Sequence, residues 1–228
     1  MRNLLTFCLL YLVSACAVES GSEPTNPGTT TLTILVNDVS ESTEHVHFSP
    51  EAFRQLLHFD ALNGGTQLAT LLINSTGNKQ MPWISNLLKV DTTVLSGNRY
   101  QRARIDKENQ VRSSQLNGTL SNWVDTLKSK ILLPKTDRYS DVNGAFYHIV
   151  HLAETYHTRK YRVRIIIFSD LLQDTPNHEP LRPITLPSDV EIFLIGTSPH
   201  VDLQQVFPNN QVTLTPVFDT QLFTQNTY

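Results

Sequence analysis

The sequence predicts an α/β fold: an open, mostly parallel, doubly wound sheet with helices on both faces and one antiparallel edge strand. Three observations predict it. Short apolar runs alternate along the chain with longer helix-like stretches, the pattern of successive βα units. The runs at 31–37 and within 161–170 are apolar almost continuously, as strands covered on both faces are. The strand-like runs 66–74 and 83–90 are joined by a link too short for a crossover, so those two must pair antiparallel. At 228 residues without an internal repeat, the chain has room for one such domain with a full core.

Residues 1–15 stand apart from that domain. "MRNLLTFCLLYLVSAC" carries a basic Arg2, an apolar stretch over 4–13 and small residues ahead of Cys16. The stretch is too short to span a bilayer and has the plan of an export signal. Val13-Ser14-Ala15-Cys16 resembles the lipobox of bacterial lipoproteins. The resemblance implies cleavage before Cys16, which would then carry diacylglycerol and usually a further acyl chain, enough for stable anchoring on a membrane. The alternative is an ordinary signal whose cut site happens to precede a cysteine. Cys8 and Cys16 are the only cysteines, and Cys8 would leave with the signal. A lipidated Cys16 leaves no thiol for a disulfide, so the exported domain must be held by packing alone. Residues 16–30 follow as the modified cysteine and a tether, "AVESGSEPTNPGTT", rich in Gly, Ser, Pro and Thr. The folded domain is expected over 31–228.

The first strand, 31–37, is apolar enough to be central. In 49–59, Ser49 can cap a helix, Pro50 suits its first turn, and Phe53, Leu56 and Leu57 share a face. After the hairpin strands, with Gly77-Asn78 between them, 98–132 reads as one long helix with a possible break at Gly118. Its second half carries a stripe of Leu116, Leu120, Trp123, Leu127 and Ile131, and its first half is polar and solvated. The segment 139–157 is expected to be a helix with Ala145, Phe146, Ile149 and Leu152 inward, leading into a strand at 161–170. A strand at 189–197, a short helix at 201–207 and an edge strand at 211–218, weakened by Pro216, complete the domain. Trp83 and Trp123 are expected in the core.

Within "TLTILVNDVSES" (31–42) the first strand empties abruptly into Asp38, Ser40 and Ser42. A turn would explain that, and so would a site for a hard metal ion. In a doubly wound sheet, functional groups gather past the carboxyl ends of the strands, where strand order reverses. Ser140 and Asp141 precede the fourth strand by one helix, and Ser169 and Asp170 follow that strand. Carboxylates and hydroxyls from three loops can therefore converge. An inventory made only of oxygen suits Mg²⁺, Mn²⁺ or Ca²⁺ rather than zinc or copper. With few direct carboxylates, a bound ion would seek a further anionic oxygen from a partner.

Asp38-Val39-Ser40-Glu41-Ser42 matches the D-x-S-x-S signature of von Willebrand factor type A (vWA) domains, and occupies the same place after the first central strand. "YSDVNGAF" resembles the family's second motif, with Ser140 where threonine is usual, and "IIIFSD" resembles the third, ending in Asp170. The likeness covers about residues 31–207, and it implies a Rossmann-like vWA-type sheet. It also implies a metal-ion-dependent adhesion site (MIDAS) in which Ser40, Ser42 and Ser140 offer hydroxyls while Asp38 and Asp170 bind directly or through water. Three departures stand out. Serine at 140 lacks the methyl that fixes the rotamer. Leu171 occupies the position after Asp170 where the family often has glycine. Pro176, Pro180, Pro183 and Pro187 rule out the usual helix between Asp170 and Asp189. That proline-rich loop could be a specificity element or a packed strap.

Other functions lack their signatures. The net charge of −3 and a single modest basic cluster, "TRKYRVR" at 158–164, argue against nucleic acid; the cluster is expected to be a solvated helix end. There is no P-loop, no G-x-G-x-x-G and no G-x-S-x-G elbow. His148 and His151 on one helix face, and His45 and His47 beyond the first motif, are expected to be surface residues. The expected protein is a bacterial lipoprotein, not an enzyme, whose vWA-like domain binds a protein partner through a divalent metal and an acidic residue of that partner. Ala17 after the cysteine is compatible with an outer-membrane location facing the periplasm. A metal-free scaffold and a metal-assisted hydrolase are the competing expectations.

Overall fold

β1 (Thr31–Asp38) runs through the middle of the sheet, and all eight of its residues are buried, as its β-branched and aliphatic run suggests. The structure, a computed structural model, describes residues 28–40, 49–76, 79, 81–90, 95, 97–131, 137–196, 199 and 201–218. Its other strands are β2 (Thr66–Ile73), β3 (Trp83–Ile84), β4 (Arg162–Phe168), β5 (Glu191–Ile195) and β6 (Val212–Thr215). Their order is β3-β2-β1-β4-β5-β6, with every pair parallel except β2–β3. The chain works outward from β1 to β3, then returns to work outward from β4 to β6. Strand order therefore reverses between β1 and β4, at the crevice where such sheets carry their sites.

The two faces are covered separately. Leu32, Ile34 and Val36 of β1 point to the side of α3 (Val142–Thr158), where Ala145, Phe146, Ile149 and Leu152 are buried as expected. Leu35 points to the opposite side, where α1 (Pro50–Leu62) and α2 (Arg99–Ile131) lie. α1 starts as its sequence suggests: Ser49 Oγ accepts from the Ala52 N–H at 3.3 Å, and Pro50 fills the first turn. It ends at a tight return in which Gly64 has φ +136°, and a Cβ there would lie 2.1 Å from Gly28 O. Only glycine allows the chain entering β1 to pass so close. α2 runs unbroken through Gly118, and buries Leu116, Leu120, Val124 and Leu127. A short α4 (Leu203–Val206) precedes β6.

Several expectations need correction. The expected strand 83–90 pairs only over Trp83 and Ile84, with an isolated bridge from Leu88 to Thr66. An edge strand gains little from pairing its whole length, and 85–90 serves instead to return the chain to the beginning of β2. The third helix starts at Val142 because Asp141 caps it, its side chain accepting from the Gly144 N–H at 2.9 Å. β6 stops before Pro216, which could not donate to the ladder. Trp83 and Trp123 are half-buried against the core rather than within it. Gly77-Asn78 lies outside the described residues, as does the side chain of Ile131.

The basic cluster departs most from its sequence reading. Arg159 and Lys160 are exposed, but Arg162 and Arg164 belong to β4, and Arg164 is 1% exposed. Its guanidinium donates to Asp60 Oδ2 of α1 at 2.7 Å and to Glu191 Oε2 of β5 at 3.3 Å, and Arg162 also pairs with Glu191. Burial pushes the Asp60 carboxyl above its usual range, against the pull of Arg164. This network braces the ends at which the parallel strands begin.

Candidate metal centre

The opposite end of the sheet carries the residues singled out in the sequence. Asp38, the last residue of β1, has no exposed surface, and its carboxylate is held from both neighbouring strand exits. The Ser169 hydroxyl, one residue past β4, donates to Asp38 Oδ2 at 2.7 Å, and the Ser40 N–H donates to Asp38 Oδ1 at 2.9 Å. The Val39 N–H in turn donates to Ile73 O at the end of β2, so the chain leaving β1 is tied to its neighbour. Ser40 then forms a parallel bridge with Asp137, in the connection that leads to α3.

Asp170 follows Ser169 and is 5% exposed. Its Oδ1 accepts from the Leu172 N–H at 3.0 Å, while the Leu171 N–H donates to Ser169 Oγ at 2.9 Å. These two turns fold the exit of β4 back on itself. They leave Leu171 with φ 58°, the left-handed region that favours glycine. A glycine would take this conformation without strain, but the chain places a leucine there. Leu171 holds that conformation with its side chain fully buried in the α3-side core, which offsets the backbone strain.

Ser140 stands beside this exit. Its backbone exchanges hydrogen bonds with Asp174, at 2.7 and 3.1 Å, and the next residue, Asp141, donates from its N–H to Asn74 O just past β2. The Ser140 side chain is nearly buried, and its hydroxyl takes part in no hydrogen bond among the described residues. Asp141, whose side chain caps α3, is committed to the helix. Ser42 and Cys16 lie outside the described residues, as do His45 and His47. The strand exits therefore gather Asp38, Ser40, Ser169 and Asp170, with Ser140 on the adjoining helix entrance. Ser169 was not among the expected ligands. Its place directly before Asp170, at the last turn of a buried strand, was the available signal.

Burial pushes the Asp38 carboxyl above its ordinary range; hydrogen bonds from Ser169 and Ser40 oppose this, and the nearby Asp170 carboxylate adds to it. Every side-chain donor is oxygen, which fits Mg²⁺, Mn²⁺ or Ca²⁺ and not a soft metal. Among the described residues no three His, Cys, Asp or Glu side chains cluster closely enough to bind a metal by themselves. An ion here would rest on two carboxylates, on hydroxyls and on water, with coordination to spare.

The proline-rich segment 174–188 borders the site as a packed strap. Ile184 and Leu186 enter the α3-side core, and the Ile184 N–H donates to Val206 O at 2.9 Å. Asn143, in the first turn of α3, ties it down twice, donating to Pro180 O at 3.0 Å and accepting from the Arg182 N–H at 2.9 Å. His148 and His151 lie along α3, half-buried and exposed respectively. No protein-family model matches the chain, and no curated protein matches it.

Proposed function

We propose that this chain is a lipid-anchored, vWA-like binding module that engages a protein partner through a divalent cation, Mg²⁺ or else Mn²⁺ or Ca²⁺, at the strand exits. Asp38, Ser40, Ser42, Ser140 and Asp170 would hold the ion. The observation that carries the reading is the meeting of two nearly buried carboxylates, one of them pushed toward its protonated form, beside Ser140, whose hydroxyl has no hydrogen bond among the described residues, where strand order reverses. When bound, a divalent ion would supply positive charge that favours the ionised form of Asp38, and a coordination position for an acidic side chain of the partner. The chain's own residues do the rest: Ser169 and the Ser40 N–H orient Asp38, and the turn through Leu171 aims Asp170. On this reading Cys16 anchors the protein to a bacterial membrane, with the outer membrane facing the periplasm as the favoured location.

A second reading has its own support. Both oxygens of Asp38 already accept a hydrogen bond from the chain, so the cluster can also serve as a closed polar hub in a metal-free scaffold. Titration calorimetry of Mg²⁺ and Mn²⁺ into the purified protein, beside Asp38→Asn, separates the two. Saturable binding in the wild type alone supports the cation reading. Partner capture that survives chelation and the Asn substitution supports the scaffold.

A further inference from the structure

We infer that the N-terminal half of α2 is a basic foot that lies against an anionic phospholipid surface, at the end of the domain where the tether enters. α2 is 33 residues long, about 50 Å. It crosses the strand-start end of the sheet near its middle, where Leu88, Lys89 and Val90 face Arg112, Gln115 and Leu116 across a groove. Leu88 bridges Thr66, the first residue of β2, which fixes that end. From there the helix runs along the sheet toward the strand exits, where Asp137 bridges Ser40. Residues 99–111 therefore extend beyond the strand starts, for about 20 Å.

This arm is helical although most of its surface is solvated. Every side chain from Arg99 to Val111 is exposed except Ile105 and Asn109, which are half-buried. Among the described residues, the side-chain hydrogen bonds and ion pairs of 99–108 are with the helix itself or its cap. The cap is well formed. Asn98 Oδ1 accepts from the Tyr100 and Gln101 N–H groups at 3.1 Å, and Gln101 Oε1 accepts from the Asn98 N–H at 2.8 Å. A solvated helix that is capped at its far end is kept in shape for a surface it can meet.

Its charge says which surface. Within the arm, Arg99, Arg102, Arg104 and Lys107 outnumber Asp106 and Glu108, in a chain whose net charge is −3. The positive end of the helix dipole points the same way, and the tip carries Tyr100, 87% exposed and of a type that seats at headgroup level. The tether completes the geometry. Gly28 enters beside Gly64, at the strand starts, and the segment 17–28 can reach about 40 Å at full extension. An anchor at Cys16 would keep the arm within reach of the bilayer, and contact by the arm would turn the strand-exit site away from it. That orientation rests on the lipid-anchor reading, whereas the affinity of the arm for anionic lipid does not.

The test uses the full chain carrying Cys16→Ala, so that no acyl anchor contributes. Its binding to phosphatidylcholine vesicles is compared with binding to vesicles in which a third of the lipid is phosphatidylglycerol. Stronger binding to the anionic vesicles is expected. It should fall about a hundredfold in Arg102→Gln/Arg104→Gln/Lys107→Gln, since each cation contributes roughly fivefold. Removing the same charge elsewhere, with Lys128→Gln/Arg138→Gln/Arg182→Gln, should leave most of it. Equal binding to both vesicles, or an anionic preference untouched by the arm substitutions, overturns the inference. Mass spectrometry of the membrane-purified wild type reports lipidation of Cys16 separately. Failure of the anchor and failure of the arm are therefore distinct results.

Discussion

Replacing Arg164 by methionine tests whether the strand-start end is held by its buried ion pairs. Arg164 and Asp60 are joined at 2.7 Å with side chains only 2% and 3% exposed, so neither charge has water to fall back on. Removing the arginine strands the Asp60 carboxylate and costs about 3–5 kcal/mol, the usual penalty for breaking a buried pair from one side. Glu191 loses less, because Arg162 remains paired with it. In a chain of this size each kcal/mol moves the midpoint by about 2–4 °C, which gives a fall of about 6–20 °C. Urea unfolding followed by circular dichroism measures the same loss at constant temperature. Asp60→Leu/Arg164→Met removes both charges together and should cost far less than Arg164→Met alone. Burial already raises the Asp60 carboxyl, so in Arg164→Met it takes up a proton readily, and the deficit should narrow as pH is lowered. A loss below about 1 kcal/mol in the single variant, or a double variant as damaged as the sum of the singles, would refute the reasoning.

The remaining predictions concern single positions. Thr33 is fully buried in β1 with a hydroxyl that has no hydrogen-bond partner among the described residues, so Thr33→Val should raise stability by about 1 kcal/mol in urea unfolding. Leu171→Gly relieves about 1–2 kcal/mol of left-handed strain but empties a core position worth about 2–5 kcal/mol, so differential scanning fluorimetry should show a lower midpoint, not a higher one. On the cation reading, Mg²⁺ at a hundred times its dissociation constant should stabilise the wild type by about 2.7 kcal/mol and leave Asp38→Asn unmoved, as read from the shift in midpoint. The pH dependence in chelator follows from the raised Asp38 carboxyl. The folded state holds that proton more tightly than the unfolded one, so its contribution is complete below about pH 4 and is lost as pH rises through the raised value. Wild-type stability should therefore fall relative to Asp38→Asn as pH rises above about 4; a gap that stays constant would contradict the electrostatic account.

What the sequence made legible and what it hid divide along a physical line. β1 could be read because its run of β-branched and aliphatic residues, Thr31 to Val36, fits a strand buried on both faces, and α1 because Ser49 and Pro50 are local signals. The three strand-exit segments could be grouped without coordinates, since a parallel sheet brings every exit to one edge. The Arg164 network was hidden because its partner Asp60 lies 104 positions away, and nothing local separates a buried arginine from a solvated one. The only hint was parity: Arg164 shares a face with Ile166 and Phe168, which are core residues. The strained Leu171 was half legible, for the position was known to favour glycine but its backbone angle was not. These two features sit at opposite ends of the same strand, and together they explain how β4 can serve a site. Its start is clamped by ion pairs to α1 and β5, so the rest of the strand is a rigid spacer. The turn through Leu171 then aims Asp170 from a fixed base, and the strap tied by Asn143 prevents it from unwinding outward. Softening the clamp should therefore disturb the exit geometry before it unfolds the sheet.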